Sequence, residues 1–370
     1  MSEYQCYEFV AIDQPLTPKQ MAELRAISTR AEITSTRFWN EYQWGDLKAD
    51  PAKLVERYFD AHMYFANWGT HRLILRVPLA RMDAKMFKAY FVGDTVSVKV
   101  AGKHLIFDLH SEDEEPDYDE ESQGSLAALT QLRAELLRGD LRVAYLAWLL
   151  AVQAADVPET DTEPPVPAGL AALTAAQATM AEFLRIDGDL ISAAAEASEQ
   201  DSVDGRALRN WVRELAPRAK DEWLLRAASD PNLALGGELL RAFRGNAKPA
   251  QKVGRRTVAD LLVKAEAHRE RRERTQAQRA AKAQRAAETA RTKRLDRLAT
   301  RVEAAWKELE ALVEKSAYDD AIALAIDLRD LAKRDGMSVQ FAERFEATRK
   351  RQLRRRAFFA RWKRENEARR

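Results

Sequence analysis

Apolar and polar residues alternate most clearly between Asp94 and His110, in the stretch DTVSVKVAGKHLIFDLH. A period of two places successive side chains on opposite faces of a strand. Gly102 lies midway and supplies a turn, so the pattern predicts a β-hairpin. One face of this hairpin is apolar and the other is polar. That division predicts a sheet with helices packed on one side only.

Aromatic and β-branched residues predict further strands at 4–12, 32–44 and 70–78. Helix signals separate these strands along the chain. The predicted order of elements is β-α-β-α-β-α-β-β. The fold class predicted for residues 1–110 is therefore a compact α+β domain.

The helices of this domain are predicted from their end signals. The first begins at Thr17, with proline at its first position and Gln20 completing a capping box. A second is predicted to start after Asp50 and to run to about Asn67, where Asn-Trp-Gly ends it. A short third helix is predicted near residues 83–91.

Nine aromatic rings lie between residues 38 and 73, in FWNEYQWGDLKADPAKLVERYFDAHMYFANWGTHRL. Four positions of the predicted second helix repeat at helical spacing and form an apolar stripe: Leu54, Tyr58, Ala61 and Phe65. Most of the rings are therefore predicted to fill a core, with Trp68 closing one end of it. The strand face left open is the predicted binding surface of this domain, and its residues are Arg37, Trp39 and Glu41.

Composition changes several times after residue 110. Eight of the ten residues from Glu112 to Glu121 are acidic, which predicts an extended loop and leaves open whether it docks on the basic arm. The predicted segments are the α+β domain at 1–110, an acidic loop at 111–124, a helical hairpin at 125–155, an exposed Pro-rich linker at 156–169, a helical region at 170–250 and a basic, extended helical arm at 251–370.

The arm has two different patterns. Residues 268–294 contain no large apolar side chain, so a helix there would be polar on all sides and would not pack on a core. Apolar residues then fall at spacings of three and four between Leu295 and Leu312. This spacing predicts a coiled-coil seam, a helical hairpin at 295–334, and an oligomer formed through that seam.

Charge is distributed unevenly between the two parts of the chain. Residues 1–240 carry 24 basic against 39 acidic residues, and residues 241–370 carry 36 against 19. The net charge of +2 therefore conceals balances of −15 and +17. This asymmetry between the two parts is the strongest compositional signal in the sequence.

Other features bear on the environment of the protein. The first residues, MSEYQCYEFV, lack the features of a secretory signal, and the longest apolar run, 141–152, is too short to cross a bilayer. Cys6 is the only cysteine, which excludes a disulfide framework and predicts a buried thiol in a reducing compartment. We expect a soluble, cytoplasmic protein.

No sequence motif indicates catalysis or a cofactor. Phosphate-binding loops, dinucleotide fingerprints and nucleophile elbows are absent from the sequence. His104, Asp108 and His110 share one strand face, but the outer two are too far apart along a strand to bind one metal ion. An enzyme site would need His62, His71 and Asp60 to converge, so catalytic residues stay unassigned and no metal or cofactor is predicted.

The basic region is open to two interpretations. Basic and aromatic residues mixed in RRRAFFARWKR (354–364) resemble a surface for nucleic-acid stacking, but Phe358 and Trp362 lie four apart and favour a docking stripe. The candidate contact residues for nucleic acid or a protein partner are Arg269, Arg271, Arg272, Arg274, Arg354, Arg355, Arg356, Arg361, Trp362, Lys363 and Arg364.

Two stretches, YFDAHMYFANWGTHRLILRVP (58–78) and EFLRIDGDLISAAAEAS (182–198), resemble segments of a bacterial family from GC-rich genomes that has no assigned activity. The resemblance implies a bacterial origin and no site residues. From the residues themselves we expect a binding or scaffolding protein that contacts a protein partner through its basic coiled-coil arm. The alternatives are non-specific nucleic-acid binding by the basic region and, third, an enzyme site in the α+β domain.

Overall fold

The computed structural model describes residues 3–82, 84–113, 126–199, 205–229, 239, 242–243, 256–352 and 354–368. The chain forms two compact units, Met1–Arg271 and Arg272–Arg370. The first unit contains an antiparallel sheet with helices, and the second consists of helices. The predicted class, α+β followed by helices, is confirmed at this level. Most of the predicted acidic loop lies outside the described residues.

One sheet of seven antiparallel strands forms the centre of the first unit. The strands are β1 (Gln5–Val10), β2 (Glu32–Ile33), β3 (Arg37–Tyr42), β4 (Ala61–Ala66), β5 (His71–Pro78), β6 (Val96–Ala101) and β7 (His104–Ser111). Their order across the sheet is β2-β3-β1-β4-β5-β7-β6. The hairpin predicted from alternation is confirmed as β6–β7. Gly102, in its turn, has a φ of 57°, a left-handed conformation that favours glycine.

The two helices before β5 start where the sequence predicted. Helix α1 (Pro18–Ile27) has the capping box of Thr17 and Gln20, and α2 (Pro51–Arg57) is capped by Asp50. The prediction that the second helix continues to Asn67 is wrong, because residues 61–66 form strand β4 between β1 and β5. Five of the six β4 residues are buried. A strand buried on both faces shows no alternation, and its apolar run is compatible with either period.

Both faces of the sheet are covered, so the expectation of one-sided packing is wrong. On one face, α1 and α2 cover a cluster that includes Phe9, Phe38 and Ile106. On the other face, the helices that follow the sheet in the chain pack on residues such as Leu75 and Phe107. On its own face of β7, Ile106 lies between His104 and Asp108, and these polar residues made the face look solvated in the sequence.

Six of the nine rings in the 38–73 stretch lie in or against the core, in line with the prediction for most of them. Phe38, Tyr58, Phe59 and Phe65 are buried, and Tyr42 and Tyr64 are partly buried against the core. Trp44 is 82% exposed, and Trp68 is 42% exposed, so the prediction that Trp68 closes the core is wrong. Both residues follow the end of a strand, where the sheet no longer supplies a face to cover them.

Helices complete the first unit. They are α3 (Leu126–Leu129), α4 (Gln131–Leu137), α5 (Arg142–Gln153), α6 (Ala175–Phe183), α7 (Gly188–Ala195), α8 (Gly205–Glu214) and α9 (Pro217–Ser229), with short 3₁₀ turns at Leu79–Arg81 and Ala84–Phe87. The apolar run at 141–152 is confirmed as a buried helix, α5. The segment at 156–169 was expected to be exposed, but Val157 and Glu163 are buried. Thr162 in this segment pairs with Thr257, just before the helix that begins at Val258.

The next helix, α10 (Val258–Ala299), is 42 residues long, and the division between the two units falls within it. The second unit continues with α11 (Val302–Glu314), α12 (Tyr318–Arg334), α13 (Ser338–Arg351) and α14 (Arg356–Ala368). Helices α11 and α12 form a hairpin within the predicted 295–334 range. Ser316, in the connection, has a φ of 62°.

The residues of the predicted coiled-coil seam pack within the core of the second unit. Leu295, Leu298, Ala305 and Leu309 are buried in its core. The helical path is also interrupted within the seam, at Thr300–Arg301, so the seam does not lie on one continuous helix. Association of two copies through this seam would require the core to open.

Candidate functional site

Helix α10 is anchored at its first turn by a buried ion pair. Arg256 donates two hydrogen bonds to Glu163, of 2.9 Å from Nε to Oε2 and 2.6 Å from Nη2 to Oε1. The hydroxyl of Tyr145 donates to the same carboxylate. The side chains of Glu163 and Arg256 are 1% and 12% exposed. A bidentate pair shielded from water in this way holds the start of α10 on the first unit.

The next turns of α10 are joined to the ends of α7 by surface ion pairs. Lys264 and His268 both contact Glu196, at 2.6 Å and 2.8 Å, and these two contacts lower the pKa of Glu196 to about 2. Arg269 reaches Asp187 at 2.7 Å. Arg269 was predicted to contact a partner, but its guanidinium is engaged within the first unit.

Beyond Arg269 the helix carries a stretch that no element covers. All residues from 271 to 294, here called the arm segment, are helical and exposed. The arm segment holds nine basic and two acidic residues. At 1.5 Å per residue it is about 36 Å long. The prediction that this stretch would be polar on all sides and would not pack on a core is confirmed.

The charges of the arm segment are separated by face. At about 100° per residue, seven basic side chains fall within an arc of about 160°. This basic face consists of Arg271, Arg272, Arg274, Arg279, Lys282, Arg285 and Lys293. The glutamates Glu273 and Glu288 lie on the opposite half of the helix, as does Glu270 just before the segment. The basic face therefore contains no carboxylate.

Four residues of the basic face form no ion pair with any described side chain: Arg279, Lys282, Arg285 and Lys293. These four are not among the contact residues predicted from the sequence, although their helical spacing places them on one face. On the opposite half, Arg291 pairs with Asp330 and Arg294 with Asp327, at 2.6 Å and 2.5 Å. The second unit thus uses the opposite half of the helix and leaves these four cations of the basic face without an ion pair among the described side chains.

The aromatic residues near the C-terminus pack inside the second unit. Phe358 is fully buried, and Trp362 stacks on Phe345 with ring centroids 4.8 Å apart. Arg355 donates to the carbonyl of Glu314, and Arg361 pairs with Asp319. The remaining candidates of this stretch, Arg354, Arg356, Lys363 and Arg364, are exposed. The docking interpretation of the aromatic stripe is confirmed, and these rings are not available for base stacking.

The candidate surface of the first unit lies on strand β3, which pairs with β1 on one side and with the two-residue β2 on the other. Arg37 forms an ion pair with Glu8 at 2.7 Å and lies over the ring of Trp39, 5.8 Å from its centroid. Glu41 accepts a hydrogen bond from Tyr4 at 3.3 Å. This face is partly open, but its charges are satisfied by neighbours on the sheet. It offers no group that points to a particular ligand.

The residues required for an enzyme site do not converge. His62 faces the cluster beneath α1 and α2, where its ring stacks on Phe9. His71 lies on the opposite face of the sheet and stacks on Phe183. Asp60 accepts hydrogen bonds from two backbone amides and from Arg76, so its carboxylate serves the fold. These three side chains therefore do not come together as an enzyme site.

The polar face of β7 does not form a metal site either. Asp108 accepts two hydrogen bonds from Arg72, at 2.8 Å and 2.6 Å, which occupy its carboxylate. Burial and the nearby guanidinium of Arg76 lower the pKa of His104. Among the described residues, no group of three histidine, cysteine or acidic side chains is placed to hold a metal ion.

The single thiol is expected to be unreactive in the folded chain. Cys6 is 2% exposed, and burial raises the pKa of its thiol from 9.0 to about 11. At pH 8 the thiolate fraction should be about 100-fold lower than in the unfolded chain. An aromatic disulfide reagent should therefore release its chromophore at least about 100-fold more slowly from native than from urea-unfolded protein. Equal rates would contradict this buried placement of Cys6.

No protein-family model, curated protein or solved structure matches this chain. Within the described parts of the chain, no helix is long and apolar enough to span a membrane. What the protein binds therefore has to be inferred from its own contacts and charges.

Proposed function

We propose that this chain is a non-catalytic binding protein that holds an anionic macromolecule on the basic face of its arm segment. The observation that carries the proposal is the separation of charge on an uncovered helix. Residues 271–294 are exposed on every side, and their carboxylates lie on the half opposite the basic face. A helix that serves only as a connection has no need for such separation.

The arm segment is built to stay helical without a core beneath it. Its residues are mainly alanine, arginine, lysine, glutamate and glutamine, which have high helix propensity. Most helical stability in proteins comes from tertiary packing, and both ends of α10 are packed. Val258, Leu261 and Ala265 are buried at its start, and Leu295 and Leu298 at its end. The basic side chains are thus presented on a preformed helix, which lowers the entropic cost of binding.

A partner that docks through the predicted seam has weaker support. The seam residues are buried within the second unit, so they offer no surface to another chain without rearrangement. The basic face needs no rearrangement. The buried seam and the exposed basic face together favour the arm segment as the proposed binding surface.

The proposal is tested by chromatography of the full-length chain on immobilised heparin, a generic polyanion. We expect retention that falls with salt, because contacts between exposed charges are screened. Replacing Arg279, Lys282, Arg285 and Lys293 with glutamine should move elution to clearly lower salt. Glutamine has nearly the helix propensity of lysine and arginine, so the helix should persist, as circular dichroism would verify.

A matched control separates the basic face from overall charge. Replacing Lys19, Lys48, Lys53 and Lys88 with glutamine removes the same charge from exposed positions of the first unit. This control should elute close to the unmodified chain. If both variants shift equally, or neither shifts, the basic face is not the binding surface and the proposed function fails.

A further inference from the structure

Building on that proposed function, we infer that the anionic macromolecule is a double-stranded nucleic acid, contacted through its phosphates along the basic face. Four open cations carry the inference: Arg279, Lys282, Arg285 and Lys293. They lie on one side of an uncovered helix. Lysine and arginine are the main side chains that neutralise phosphates and release their counterions.

The rest of the basic face favours nucleic acid over an acidic protein. The other residues within its arc are small or polar: Thr275, Gln278, Ala286, Thr289 and Thr292. Protein interfaces depend on buried aromatic or large apolar anchors, and this face contains none. Interfaces with nucleic acid are polar and strongly positive, and threonine and glutamine contribute phosphate contacts in them.

The dimensions of the face also match a duplex. From Arg279 to Lys293 the helix rises about 21 Å, and the four open cations lie along this length. A DNA duplex carries one charge per about 1.7 Å, so it can offer a phosphate to every one of these side chains. An α-helix is about 10–12 Å wide with its side chains and fits a major groove about 12 Å wide.

The second unit argues against a single strand as the preferred partner. Binding of single strands relies on aromatic rings on which bases stack. Phe358 and Trp362, the rings within the basic stretch 354–364, are packed against Phe345 and its neighbours. The described arm segment itself has no ring. Phosphate contact without stacking suits a duplex.

The test measures fluorescence anisotropy of a labelled, mixed-sequence DNA duplex of about 20 base pairs titrated with the full-length chain. We expect salt-sensitive binding in which the logarithm of the association constant falls linearly with the logarithm of salt concentration. The four glutamine substitutions on the basic face should weaken binding at least about ten-fold. They should also reduce that slope by about 3–4, since each B-DNA phosphate contact contributes about 0.9.

The control variant at Lys19, Lys48, Lys53 and Lys88 should keep the affinity and the slope. Absence of duplex binding, or equal weakening by both variants, would overturn the inference. Tighter binding of a single strand of the same length would also overturn it. If labelled polyglutamate binds as well as the duplex and with the same dependence on the basic face, the partner is an acidic protein. In that case the proposed function stands and this inference fails.

Discussion

Replacing Arg256 with methionine is expected to lower the unfolding free energy of the first unit by about 3–5 kcal/mol, the usual cost of removing one partner of a buried ion pair. The carboxylate of Glu163, 1% exposed, would lose both hydrogen bonds from Arg256, and among the described residues the hydroxyl of Tyr145 would be its remaining side-chain donor. The measurement is the urea dependence of hydrogen exchange in peptides from β4 and β5 of the full-length chain, which reports on the first unit alone.

Two further variants give this prediction its controls. Replacing both Arg256 and Glu163 with methionine should cost less than replacing Arg256 alone, because no charge is left buried. Replacing Lys99, whose pair with Glu56 is half-exposed at 3.6 Å, should cost less than about 1 kcal/mol. A loss for the Arg256 variant no greater than for the Lys99 variant would show that the pair does not anchor α10.

The first unit is also expected to lose about 4 kcal/mol of unfolding free energy between pH 7 and pH 5, about 2 kcal/mol for each of two buried histidines. Burial lowers the pKa of His62 to about 3 and that of His71 to about 4. Their pKa in the unfolded chain is about 6.5. The unfolded chain therefore takes up protons in this range and the folded chain does not, so stability is full above pH 6.5 and falls as the pH falls towards those lowered values.

The surroundings of His62 explain why its protonation is opposed. Nδ1 donates to the carbonyl of Glu8, and Nε2 is buried without a hydrogen-bond partner among the described residues. A charged ring would carry a second N–H that nothing accepts. His71 likewise donates from Nδ1 to the carbonyl of Phe183.

Phenylalanine at either histidine position should reduce the loss between pH 7 and pH 5 by about half, since the ring stays stacked but no longer titrates. The same peptide-resolved urea titration at both pH values measures this. Carboxylates contribute little in this window, because their ordinary pKa values lie below it. An unchanged pH dependence in both variants would mean that the two histidines take up protons in the folded chain.

The elements whose signals are local were predicted from the sequence. The capping box at Thr17, the proline at the start of α2 and the turn at Gly102 depend on contacts within a few residues. The uncovered arm segment is also a local property, because a helix without apolar residues has nothing to pack. The basic face also follows from the sequence, because helical spacing alone places most of the basic residues of 271–294 on one side of the helix.

The ionic clusters could not be predicted, because their members are far apart in the chain. Glu163 and Arg256 meet across 93 positions, and Asp13 and Arg133 across 120. The same holds for strand β4, whose identity depends on pairing with β1 and β5. Acidic and basic residues are common in any sequence, so nothing marks the few that become buried partners.

By itself, the sequence determined the class of the two parts, the helix starts after Thr17 and Asp50, and the presence of a helix that no core would cover. The tertiary structure decided which cations of that helix remain open. Arg269, Arg291 and Arg294 are paired with acids of the packed elements, whereas Arg279, Lys282, Arg285 and Lys293 have no ion pair among the residues that the structure describes. The physical reason is that backbone conformation follows from neighbours in the chain, whereas the partners of a charge follow from the packing of elements distant in sequence.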